Sequence, residues 1–129
     1  MKLETAEWVA KAEGDLHTAR RELSASELQN YDAACFHAQQ CAEKYLKARL
    51  VEAGLPFPKT HDLEALLNRV LPLEPAWEEL RAELQELTNM AVEVRYPGVD
   101  ADAEDAAVAV KAAERVREAI RTTLKIEEL

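Results

Sequence analysis

The chain has 129 residues, of which 48% are apolar and 32% charged, with three glycines and a formal charge of −9. That length fits one domain over residues 1–129, and the composition excludes both a disordered chain and a turn-rich β-sandwich. The charge argues against a strong grip on a nucleic-acid backbone, and no apolar run approaches the roughly 18 residues that span a bilayer.

The segment from Met1 to Leu16 interleaves Lys2, Glu4, Glu7, Lys11, Glu13 and Asp15, which no signal-peptide core does, so a cytoplasmic location is expected. Apolar positions Trp8, Ala12, Leu16, Ala19 and Leu23 recur at spacings of four, four, three and four, which predicts a first helix with one core-facing stripe. Ser24 to Asn30 interrupts it. A second helix starts near Asp32, turns Ala34, Cys41, Tyr45 and Ala48 inward, and stops at Gly54 in the left-handed conformation. Pro56 and Pro58 forbid helix, and Thr60 is the expected N-cap of a third helix carrying Leu63, Leu66, Leu67 and Val70.

Pro72 and Pro75 end that helix, and Pro75 opens a fourth with the most regular seam in the chain: Trp77, Leu80, Leu84, Leu87, Ala91 and Val94. Tyr96 precedes Pro97 and is pushed out of the helical region, while Gly98 permits a sharp turn. "DADAED" then opens a fifth helix with carboxylates where the macrodipole favours them, followed by Ala106, Val110, Ala113, Val116, Ile120 and Leu124. Strand-like alternation is absent. The fold class read from this pattern is all-α, an antiparallel bundle of about five helices.

One stretch asks for more than packing. His37, Gln40, Lys44 and Lys47 fall on one stripe of the second helix, among alanines and cysteines that have little bulk to bury. Either the stripe is a solvated or interface edge, or it lines a polar cleft in which the lysines hold a phosphate and Gln40 reads a base or ribose edge. Between His37 and His61 four basic residues face two acidic ones, a window of +2 that leaves −11 for the rest. A small anion fits that balance better than a long duplex. His61 and Lys59, at the start of the third helix, have a structural reading and an anion-binding one. Cys35 and Cys41, six apart on one helix and so about 9 Å apart along it, are beyond disulfide reach, and no metal or cofactor is expected. The acids Asp100, Asp102, Glu104 and Asp105 match no EF-hand spacing and are assigned to helix-end electrostatics, and Trp8 and Trp77 to the core or a subunit contact.

Three stretches, "YDAACFHAQQCAEKYLKA", "PFPKTHDLEALL" and "VRYPG", stand in this order before the last helix, and together they resemble the HEPN family of small all-α proteins over nearly the whole chain. The resemblance implies an up-and-down four-helix core, and the uninterrupted seam of the fourth helix, with more apolar stripe than one small core absorbs, leads to the expectation of a homodimer or higher homo-oligomer. It also implies three functional candidates: nucleotide binding, partnership with a small nucleotidyltransferase in a toxin–antitoxin pair, and RNA cutting as a toxin. The nuclease members carry an arginine and a histidine with four to six residues between them. Arg95 corresponds to that arginine, whereas positions 100 to 102 read Asp, Ala, Asp and no histidine follows. Metal-free RNA cleavage commonly needs both groups within reach. The leading expectation is therefore a non-catalytic nucleotide-binding or nucleotidyltransferase-partner module, with ligand contacts at His37, Gln40, Lys44, Lys47, Lys59, His61 and Arg95. Its rivals are a metal-independent ribonuclease and a purely structural homo-oligomeric bundle.

Overall fold

The computed structural model describes residues 1–94 and 96–126. Helices α1 (Leu3–Ser24), α2 (Tyr31–Glu52), α3 (Leu63–Val70), α4 (Arg81–Glu93) and α5 (Ala103–Leu124) follow one another, and a 3-10 segment, Pro75–Leu80, leads into α4. Among the described residues there is no strand.

Helix α2 is the central element. Thirteen of its 22 residues are buried, so it is covered on most sides rather than along one stripe. Ala34, Cys35, Ala38, Cys41, Ala42 and Ala48 are all fully buried on it, and such small side chains let neighbouring helices approach closely. The bulk comes from leucines: Leu16, Leu46, Leu50, Leu63, Leu66, Leu67, Leu84 and Leu87 are each at most 1% exposed, and each contributes about 1.5–3 kcal/mol by leaving water.

Polar bonds fix the helix directions. The Lys2 amide and the Thr5 hydroxyl at the start of α1 both donate to Glu52 at the end of α2, each at 2.9 Å, so the two helices run antiparallel. Arg20 pairs with Glu114 and Glu13 with Arg117, which sets α5 antiparallel to α1. Asp32 accepts from the Ala101 amide at 2.7 Å, which joins the starts of α2 and α5. Met90 near the end of α4 meets Cys35 near the start of α2 at 3.7 Å, completing an alternating up-and-down arrangement of α1, α2, α4 and α5.

The ends of the helices follow local chemistry. Gly54 takes φ +71°, and the Gly54 and Leu55 amides return to the Val51 and Leu50 carbonyls at 2.9 Å each, a Schellman stop for α2. Asp102 and Asp105 form a reciprocal capping box on α5. At α3 the expected cap is displaced by two residues. Asp62, not Thr60, accepts from the Glu64 and Ala65 amides, while the Thr60 hydroxyl accepts from the Asp62 amide, because the charged Asp carboxylate is the stronger acceptor at that positive helix end.

Two further expectations shift in detail. The fourth helix does not begin as α-helix at Pro75: residues 75–80 wind as a 3-10 segment, and α4 starts at Arg81. In that tighter winding side chains three apart eclipse, which turns both Trp77 and Leu80 into the core. On α1 the buried stripe is Thr5, Val9, Ala12, Leu16 and Ala19, with Trp8 beside it rather than on it. Trp8 instead meets Phe57 edge to face at 5.8 Å, closing the loop after α2 against α1. Both cysteines are free and buried. Burial is the main reason that the Cys35 thiol is pushed up to about 11, with Asp105 and Asp32 adding to it.

Candidate functional site

The stripe on α2 divides between two carboxylates. Asp15 of α1 accepts from His37 Nδ1 at 2.9 Å and from Lys44 Nζ at 2.5 Å. Glu43 of α2 itself accepts from Lys47 Nζ at 3.0 Å, from His61 Nδ1 at 2.8 Å and from Gln39 Nε2 at 3.4 Å. Gln40 joins the second group indirectly, donating to Gln39 Oε1 at 2.8 Å.

The surroundings of Glu43 are built rather than incidental. Its side chain is 4% exposed, and Gln39 and Lys47 are buried with it. The Lys47 ammonium also lies 5.6 Å from the Trp8 ring centre and 5.3 Å from that of Phe57, so two aromatic faces replace part of the water it loses. Gln39 Nε2 donates to the His61 backbone carbonyl at 2.8 Å, which ties the loop before α3 to the middle of α2. The His61 side chain is 69% exposed, and Glu43 holds one nitrogen of its ring while Nε2 has no partner among the described residues.

His61 stands at a cleft of about 250 Å³ between the α2–α3 connection and α4, lined also by Gln39, Asp62, Thr88, Ala91 and Val92. The free amides of the α3 end, which an anion there would use, are taken by the chain itself: Leu63 N donates to Thr88 Oγ1 at 3.3 Å, and Asp62 takes the next two. Lys59 is exposed. Arg95 lies outside the described residues.

A separate, partly buried network clasps α1, α2 and α5. The Glu13 carboxylate accepts from Tyr45 Oη and from Arg117 Nε, the latter at 2.7 Å. Burial pushes the Glu13 carboxyl up, yet the Arg117 and Tyr45 hydrogen bonds and the nearby arginine charges more than offset it and hold the group below its ordinary value. The Tyr45 hydroxyl moves the other way, raised by burial and by its bond to Glu13.

The arrangement thus brings Gln40, Lys47 and His61 into one hydrogen-bonded group around Glu43, and His37 with Lys44 into another around Asp15. Three members were missed from the sequence. Glu43 and Gln39 were detectable, since Gln39, Glu43 and Lys47 stand at successive spacings of four on α2. Asp15 was not, because its partners depend on the register between α1 and α2. Among the described residues, no helix is long and apolar enough to cross a membrane.

Comparison with known proteins adds a lineage to this geometry. The family model described as HEPN domain matches residues 5–123. A protein of Methanocaldococcus jannaschii named "Putative toxin MJ1304" is 30% identical, the match covering 92% of this chain and 86% of that one. The crystal structure of TT1696 from Thermus thermophilus superposes with a TM-score of 0.81 at 22% identity, over 94% of this chain and 98% of the other, a likeness of fold. The crystal structure of ST0689, described as an archaeal HEPN homologue, gives a TM-score of 0.72 at 28% identity, over 95% and 98%.

Proposed function

The chain belongs to the HEPN domain family, and from that premise we propose that it is a non-nucleolytic member of a toxin–antitoxin pair that works by engaging a nucleotide-bearing partner, a small nucleotidyltransferase. The toxin–antitoxin setting is supported by the name of its archaeal relative. The observation that carries the rest is the pairing of the stripe: His37 and Lys44 are engaged by Asp15, and Lys47 by Glu43, so a phosphate would have to displace a carboxylate from each. The nucleotide is better placed on the partner than on these lysines. The absence of histidine at positions 100 to 102 removes the base that RNA cutting would use with Arg95.

A second copy of the chain belongs to the same reading. The α4 seam is consumed inside the chain, where Trp77, Leu80, Leu84, Leu87 and Ala91 are buried. A homodimer would draw instead on the groove between α4 and α5, where Leu87, Met90, Val108, Ala109 and Ala112 line about 270 Å³.

The test is a titration of the full chain with ATP, GTP and short single-stranded RNA, with cleavage followed in parallel, alongside co-expression with a nucleotidyltransferase encoded beside it. The expected result is a stable complex, no RNA cutting, and no free-nucleotide binding by the chain that depends on Lys44, as Lys44→Ala would show. Cutting that Arg95→Ala abolishes in a folded protein would overturn the non-nucleolytic reading. A loss of about one to two decades in nucleotide affinity on Lys44→Ala would return the nucleotide to the stripe.

A further inference from the structure

The cleft beside His61 continues into a second, more polar hollow of about 430 Å³ lined by Asp62, Glu64, Gln85, Thr88 and Asn89. The two share Asp62 and Thr88. Among the described residues, neither is lined by a lysine or an arginine. Glu64 is already engaged by Arg81 and Gln85, at 2.7 and 2.8 Å. Asp62 uses Oδ1 for the α3 amides and keeps Oδ2 without a partner among the described residues.

His61 adds a second acceptor. Because Glu43 is a carboxylate, the proton they share sits on His61 Nδ1, and Lys47 already balances the Glu43 charge. An imidazole that carries its one proton on Nδ1 presents the Nε2 lone pair. Two acceptor-bearing residues, one of them charged, therefore line the cleft together with the apolar side chains of Ala91 and Val92. A phosphate would meet a carboxylate and a lone pair there. A planar cation with several N–H donors would satisfy both acceptors and pack its face against those apolar side chains, which suits a guanidinium better than the compact, strongly hydrated ammonium of lysine.

We propose that this cleft is the docking site for an arginine side chain of the partner protein, with Asp62 and His61 Nε2 as its acceptors. The inference rests on the partner reading given above and names the chemistry of the contact. A chain of net charge −9 also attracts a basic partner surface.

The test uses ¹H–¹⁵N spectra of the full chain at pH 8, titrated with N-acetyl-arginine amide, with the neutral isostere N-acetyl-citrulline amide and AMP as comparison probes. Arginine amide should give saturable shifts at the Gln39, Thr88 and Val92 amides, and citrulline amide should bind at least about fivefold more weakly, because the charge-assisted bonds are lost. Asp62→Asn keeps the helix cap and should weaken arginine binding by a similar factor. Val92→Lys, at an exposed position, should abolish it by placing an ammonium in the cleft.

Equal binding of citrulline and arginine, shifts of the same amides by AMP, or no saturable shift at all would each overturn the assignment. A partner complex that survives both Asp62→Asn and Val92→Lys would overturn the cleft while leaving the partner reading intact.

Discussion

Asp15 and Glu43 hold the same pair of side-chain types, one histidine and one lysine, in two different settings. Asp15 is 12% exposed, and its partners His37 and Lys44 reach 31% and 23%, so water screens that group from one side. Glu43 is 4% exposed, Lys47 is 10%, and only His61 emerges. The difference teaches that a charge pair's cost, not its presence, marks a built site. Burying a carboxylate and an ammonium costs several kcal/mol each in lost hydration, which only good geometry and further hydrogen bonds offset. The Glu43 group has both, and its outlet to the surface is a single histidine at a cleft. The Asp15 group is an interhelical clasp.

The comparison breaks most visibly at Glu43 itself. Glu43→Ala leaves the Lys47 ammonium buried without its counter-ion and should destabilise the protein by about 3–5 kcal/mol in urea denaturation. A loss under about 1 kcal/mol would mean that Lys47 reaches water and that the two carboxylates are equivalent. Asp15→Ala should cost less, about 1 kcal/mol, because His37 and Lys44 can turn to solvent. An Asp15 loss as large as that of Glu43 would erase the distinction.

Glu13 sharpens the comparison through pH. Its folded-state pKa is depressed, so its contribution is complete above the unfolded value of about 4.3 and is lost as pH falls through the lower folded value. Glu13→Gln should therefore flatten the acid limb of the stability curve below about pH 4.3, measured by denaturation across that range. An unchanged limb would show that Arg117 and Tyr45 do not favour its ionised form. The smallest effect is expected at Lys59, where an exposed lysine changed to alanine should move stability by no more than about 0.5 kcal/mol.

Much of the fold was legible because helix periodicity and stop signals are local. The inward residues of the second, third and fifth helices and the left-handed Gly54 follow from spacing and backbone chemistry alone. What escaped was set by competition or by register. Asp62 outcompeted Thr60 as cap, and Pro75 led into a 3-10 segment, because each choice depends on what the neighbouring turn can satisfy. In the site, His37, Lys44 and Lys47 could be put on one stripe, but not divided between Asp15 and Glu43. That division depends on how α1 is set against α2, and on the loop that brings His61 back beside Glu43.

The most direct measurement of this account is the tautomer of His61, read from long-range ¹H–¹⁵N correlations of the imidazole ring at pH 8. The buried Glu43 should fix the proton on Nδ1, with Nε2 showing the shift of an unprotonated acceptor, and Glu43→Gln should disturb that preference. A ring protonated on Nε2 and bare at Nδ1 would contradict the network, and with it the acceptor on which the arginine cleft depends.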